Sequence, residues 1–362
     1  MSAPRERVLT ALSRKVPDRV PNGFEGFNRK AREMFRASTG TDDYCAYFKV
    51  DYRFVSADPV KAKFAWDTKA IYGKYYDDLP DSAGINGLGF ALVPGEDGTY
   101  DHIVSPLTRA ETPKEIEEYP LPPPVKHDDL FRESVEKTIR NGFAAVGAMA
   151  CTIFETAWKI RGYNELLTDF SVNEKMAAVL LERLTEMRCS LARKFAVSGV
   201  DILLLGDDVG MQDRLMMAPE TWRKWLKPCL RKVIKSCLDV KPDTFIFYHS
   251  DGYIEPIIPD LIEIGVNVLN PVQPECMDPA RLKREYGDRL AFWGTVGTQT
   301  TLPFGTPDEI RKVVKERIET VGKGGGLVLA PTHDIEPDVP WENLLAYFEA
   351  LEKYGAYNLR KG

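Results

Sequence analysis

Short apolar runs alternate with helical periods along the second half of the chain. Residues 201–206, 244–249, 266–270, 290–294 and 326–330 are strand-sized and mostly apolar. That is the pattern of strands covered on both faces of a parallel sheet. Between and after them, 219–238, 254–264, 279–286, 307–321 and 340–353 carry helical spacing, and several open on a proline. The first half is sparser. It predicts helices over 5–13, 30–37 and near 130–140, and strands over 19–24, 47–55 and 142–149. Eight strands alternating with helices close a barrel. An open doubly wound sheet is the alternative, but no GxGxxG follows a strand. The expected fold is α/β: a single (βα)8 TIM barrel over 1–362, with a long insertion after the second strand.

That insertion, roughly 56–125, breaks the alternation. It reads as a hairpin, with arms near 87–93 and 100–106 around the turn PGEDGT, and it ends in the proline cluster 120–124. A loop this long is expected to wall or cover the active-site mouth, a solvated excursion being the alternative. The glycine run 322–326 precedes a strand rather than a helix, so it predicts a turn and not a phosphate cradle.

Composition narrows the class. The balance of 44% hydrophobic and 28% charged residues is that of a globular protein. The net charge of −6 excludes a global basic footprint, so neither nucleic acid nor an anionic membrane is expected as a partner. Six cysteines include no CxxC pair, and no signal-peptide pattern opens the chain. Both favour a reducing, cytoplasmic setting. No apolar run approaches a membrane span.

Barrel enzymes place their chemistry at the C-terminal ends of strands. Two of the four histidines, His249 and His333, fall at such ends, where they suit acid–base work or metal ligation. Asp208, Asp251 and Glu155 are the acids able to join them. Asp207 and Asp208 are consecutive, so one faces the barrel axis and the other the helix layer; Asp208 is taken for the site. Glu155 could equally be a helix-start residue. Trp293, Tyr248 and Phe24 are candidates to wall an aromatic substrate, with core packing as the alternative. Asn270, Gln273 and Gln299 are candidate polar substrate contacts, the two glutamines having mere solvation as the alternative.

Several stretches carry a family resemblance. RERVLTALSRKVPDRVP from Arg5, GDDVGMQDRLMMAPETWRKWLKP from Gly206 and LAPTHDIEPDVPWEN from Leu329 resemble the uroporphyrinogen decarboxylase superfamily. So, most strongly, does YHSDGYIEPIIPDLIEIGVNVLNPVQ from Tyr248. The resemblance implies one barrel and two families of activity: tetrapyrrole decarboxylation, or methyl transfer involving the cobalt of a corrinoid protein. Decarboxylases of this kind carry an arginine-rich RQAGR-like segment near the N-terminus. Here that region reads PNGFEGFNRKAREM and places Glu25 there, a poor neighbour for a polyanion. Thiol-methylating members bind zinc through His-x-Cys and a distant cysteine. Here those positions read His249-Ser250-Asp251 and Ala330-Pro331-Thr332-His333, so the sulfur ligands are replaced. His249, Asp251 and His333 are left as a harder nitrogen and oxygen set for a metal such as zinc.

The expected function is therefore donor-side methyl transfer. A small methylated substrate, with an aromatic methyl ether the favoured type, would give its methyl group to cobalamin on a partner corrinoid protein. His249, His333, Asp208 and Glu25 would assist the departing group. A homodimer is compatible with the family. A decarboxylase-like lyase is the alternative, and a non-catalytic pigment-binding protein a third reading.

Overall fold

A computed structural model of the chain describes residues 2–57, 66–95, 100–124 and 126–357. Its strands in chain order are β1 (Tyr52–Phe54), β2 (Gly84–Ile85), β3 (Ala91–Pro94), β4 (Asp101–Val104), β5 (Ala144–Met149), β6 (Ile202–Gly206), β7 (Phe245–His249), β8 (Val268–Asn270), β9 (Ala291–Val296) and β10 (Leu327–Pro331). Seven of them form one curled parallel sheet in the order β1-β5-β6-β7-β8-β9-β10. All five strands expected in the second half are present. Each is followed by helix, the arrangement a parallel sheet requires.

The expected first strand, 19–24, is the main departure. It runs as an extended segment with single bridges rather than as a ladder. On one side the Gly23 amide donates to Leu329 O, and the Leu329 amide donates to Pro21 O. On the other, the Asp51 amide donates to Asn22 O. The segment thus links the two edge strands of the sheet and stands in the eighth place of a TIM-barrel-like fold. Pro21 has no amide hydrogen to give, which interrupts the ladder there. The expected second strand, 47–55, shrinks to Tyr52–Phe54 because Asp43 caps a short helix over Tyr44–Tyr47.

Two long helices pack side by side outside the sheet: Pro219–Leu238, as the sequence predicts, and Glu174–Ser198, to which it assigned no element. Met176, Ala177, Leu180, Leu181 and Leu184 are buried there at helical spacing, so the signal was present. The insertion holds a three-stranded antiparallel sheet in the order β2-β3-β4, one strand more than a hairpin. Most of its expected turn, 96–99, lies outside the described residues. Hydrogen bonds fasten the insertion: Leu107 exchanges them with the helix Phe154–Arg161, and Arg183 donates to Ile116 O and Tyr119 O. The glycine run is a turn, with Gly324, Gly325 and Gly326 all at positive φ. No described helix is long and apolar enough to cross a membrane.

The N-terminal ends of the strands are held by ion pairs. Arg5 grips Asp201 through two nitrogens, and Asp201 also accepts from the Ala145 amide. Asp51, just before β1 and 1% exposed, receives Arg7, Arg19 and the Asn22 amide at 2.7–2.9 Å. The family-like opening run of the sequence thus supplies a clamp on the barrel's closed end.

Candidate active site

Period-two alternation sorts the strand ends. Tyr52, Phe54, Val146, Leu204, Phe247 and Trp293 line the barrel interior together with Glu25. Continuing two residues at a time along β6 and β7 brings Asp208, His249 and Asp251 to the same side at the mouth. The residues between them point the other way. The Asp207 carboxylate is buried and accepts from the amides of Ile153 and Glu155, which starts the helix Phe154–Arg161. Tyr248 is fully buried, with its hydroxyl toward Asp207 O. It packs in the helix layer and does not wall the mouth.

His249 is the centre of the site. Its Nδ1 lies 2.5 Å from Asn270 Oδ1, and its Nε2 lies 3.6 Å from Asp208 Oδ1. Asn270 donates through Nδ2 to Glu25 Oε1 and to Trp293 O. Burial works against a charge on the imidazole, but Asp251, Asp208 and Glu25 outweigh it and lift the ring to about 9. Burial pushes the Glu25 carboxyl up to about 7, against the pull of His249. Burial likewise raises Asp251 and Asp334.

Among the described residues, Asp208, His249 and Asp251 each bring a ligating atom within 4.8 Å of the others. This cluster shares His249 and Asp251 with the expected metal set and holds Asp208 where that set has His333. His333 is exposed beyond the end of β10, and its Nδ1 lies 3.4 Å from the neighbouring Asp334 O. β6 and β7 are hydrogen-bonded neighbours, which brings Asp208 beside His249, whereas β10 lies three strands from β7. The loops after β6, β7 and β8 are knitted together. The Asp251 amide donates to Asp208 Oδ1, the Val209 amide to Ser250 Oγ, and the Gly252 amide to Gln273 Oε1.

The remaining candidates divide. Gln273 is buried in that loop contact, and Phe24 is buried in an aromatic cluster with Phe27, Tyr44, Phe48 and Phe348. Neither faces the mouth. Gln299 is exposed in the turn after β9. Trp293 is buried at the interior floor, edge-on to Tyr52 and Phe247. Glu155 accepts from the Asp208 amide and pairs with Lys159, which also reaches Cys151 Sγ at 3.0 Å. Sequence reasoning missed Lys159. Its spacing of four from Glu155 on a helix was the available signal.

The model of the uroporphyrinogen decarboxylase (URO-D) family matches residues 86–354. A relative described as a methylcobamide:CoM methyltransferase, MtaA of Methanosarcina barkeri, is 31% identical over 172 residues, 48% of this chain and 47% of its own. The chain thus spans about half the length of that relative. A uroporphyrinogen decarboxylase of Pseudomonas putida is 23% identical over 77% of this chain and 76% of its own. A solved methyltransferase from Methanosarcina mazei covers 98% of this chain and 99% of its own, with TM-score 0.67 and 20% identity; that likeness shows the fold. With a family match running through well over half of its length, the chain belongs to the uroporphyrinogen decarboxylase (URO-D) family.

Proposed function

We propose that this protein is a corrinoid-dependent methyltransferase that moves a methyl group from a small methylated donor to the cobalt of a partner corrinoid protein. One observation carries the reading: the charge of the mouth. Glu25, Asp251 and Asp334 face His249 and His333, and otherwise each other, Asp208, Glu155 and Asn270. A polycarboxylate tetrapyrrole would meet carboxylates there, which disfavours the decarboxylase reading by like-charge repulsion. The relatedness to a methylcobamide:CoM methyltransferase supports the corrinoid partner. Replacement of the thiol-activating cysteines by Asp251 and His333 favours the donor side of the transfer over a thiol acceptor.

The residues present fit a divalent metal. Asp251 Oδ1 is buried without a hydrogen-bond partner, and Asp208 and His249 complete a nitrogen and oxygen donor set beside it. A metal held there supplies Lewis-acid help to the departing oxygen, nitrogen or sulfur. In this chain, His249 Nε2 opens toward Asp208 and the mouth, and the surrounding carboxylates keep the ring cationic. With no metal on Nε2 the imidazolium can protonate a leaving alkoxide or phenolate; with a metal there, that help passes to the metal. The partly exposed Phe54 and the buried Trp293 and Phe247 give an aryl methyl ether an apolar floor.

The test mixes the protein with cob(I)alamin and a panel of methoxyarenes, methylamines, methanol and methylthiols, following the cobalt spectrum. Conversion to methyl-cob(III)alamin with one donor class is expected, methoxyarenes first. Carbon dioxide release from a carboxylated substrate without corrinoid, and no methylation with any donor or with the natural corrinoid protein, would overturn the reading.

A further inference from the structure

We infer that Asn270 is a positioning residue that fixes which nitrogen of His249 faces the reaction. It holds a hydrogen on Nδ1 and leaves Nε2 as the working nitrogen. The use made of Nε2 rests on the methyl-transfer reading; the assignment itself rests on hydrogen-bond chemistry.

One atom in this network has a role that cannot vary. The backbone carbonyl of Trp293 only accepts, and it lies 3.0 Å from Asn270 Nδ2. The other neighbour of that nitrogen is Glu25 Oε1 at 3.2 Å. With its amide flipped, Asn270 would set its own oxygen against the Trp293 carbonyl and lose both bonds. Asn270 is 1% exposed, so water could not replace them. The flip is therefore costly, and Oδ1 points at His249 Nδ1. An oxygen that accepts must meet an N–H, so the proton sits on Nδ1. Nε2 is left toward Asp208 and the mouth.

The register of the sheet makes this pairing rigid. His249 and Asn270 are direct partners of β7 and β8, at the last position of both strands. Trp293 anchors the other side too, because its indole Nε1 donates to Gly23 O, two residues before Glu25. Both amide hydrogens of Asn270 are thus spent on protein. Its influence on a substrate runs through His249, whichever task Nε2 performs. With the opposite tautomer, the lone pair would face Asn270 and be lost to a ligand or a proton.

The test is nitrogen NMR on histidine-labelled protein, freed of metal, at alkaline pH where the ring is neutral. Four histidines are present, and His249→Gln identifies the signal. The wild type is expected to show a protonated Nδ1 and an unprotonated Nε2. Asn270→Asp, which keeps an oxygen against Nδ1 but loses the bonds to Trp293 O and Glu25, should keep that pattern at a cost in stability. Asn270→Leu should move the proton to Nε2 and lower kcat roughly 10- to 100-fold while the donor KM changes less. Wild-type protein with an unprotonated Nδ1 would overturn the assignment. So would Asn270→Leu that folds and keeps both the pattern and kcat. If Asn270→Leu does not fold, the wild-type spectrum still decides the assignment. The spectra need no methyl donor, so a protonated Nδ1 in a protein inert toward every donor would sink the methyl-transfer reading and leave this one standing.

Discussion

The surroundings of Glu25 change its chemistry. Burial lifts its carboxyl from an ordinary value near 4.5 to about 7. The folded protein therefore binds this proton more tightly than the unfolded chain does. Its contribution to stability is complete below about pH 4.5 and is lost as pH rises through about 7. Glu25→Gln should flatten that part of the decline and be the more stable protein above about pH 8, by on the order of 2 kcal/mol. Thermal unfolding at a series of pH values checks this; an unchanged slope would count against a buried, strained carboxylate. The Asp208, His249 and Asp251 cluster makes a second prediction. Asp208→Asn and Asp251→Asn should each weaken zinc binding by roughly tenfold or more, whereas His333→Gln should leave it near wild type. Calorimetric titration reads it, and equal loss in His333→Gln would restore the set expected from sequence. At this scale the residue types were legible, since His249, Asp208, Asp251 and Glu25 all stand at strand ends. Their directions were only half legible. Alternation excludes neighbouring residues from one face, so an inward His249 makes Tyr248 point outward.

The elements that carry these residues meet at two glycines. A Cβ on Gly210 would lie 2.6 Å from Asp251 O and 2.7 Å from the Tyr253 amide nitrogen. Gly252 sits at φ +79° against Gly210 from the other side. This backbone contact brings the loop after β6 onto the loop after β7, and with it Asp208 onto Asp251. Gly210→Ala must push the loops apart, because backbone cannot rotate away as a side chain would. A destabilisation of about 1–3 kcal/mol is expected, together with weaker metal binding than in any variant of equal stability altered elsewhere. Parallel unfolding and zinc titrations separate the two effects. The same scale explains the missed elements. Residues 19–24 show an extended pattern, but Pro21 denies them a ladder. Only their contacts with β10 and Asp51, distant in sequence, give them the eighth place.

Across the whole molecule, stability and chemistry occupy opposite ends of the barrel. The closed end is held by Arg5, Arg7 and Arg19 on Asp201 and Asp51. The open end gathers Glu25, Asp208, His249 and Asp251. Removing one partner of a buried ion pair leaves the others uncompensated. Asp51→Asn should therefore cost about 3–5 kcal/mol in denaturant unfolding while leaving turnover per folded molecule unchanged. Loss of turnover without loss of stability would contradict that division of labour. The insertion is tied to the barrel's helix layer, by Leu107 to the helix Phe154–Arg161 and by Arg183 to Ile116 and Tyr119.

The sequence by itself determined the barrel class, five strands of the second half with the helices around them, and the residue types gathered at the mouth. These follow from local periodicity and from the rule that parallel strands present their C-terminal ends together. Tertiary structure alone decided which acids join His249, which nitrogen of its ring is turned to the mouth, and how the barrel closes. Each of those depends on contacts between segments remote along the chain: Glu25 with Asn270, Asn270 with the Trp293 carbonyl, Gly210 with Gly252. Such pairings leave no period in the sequence, because their geometry is set by strand register and loop packing rather than by any local run of residues.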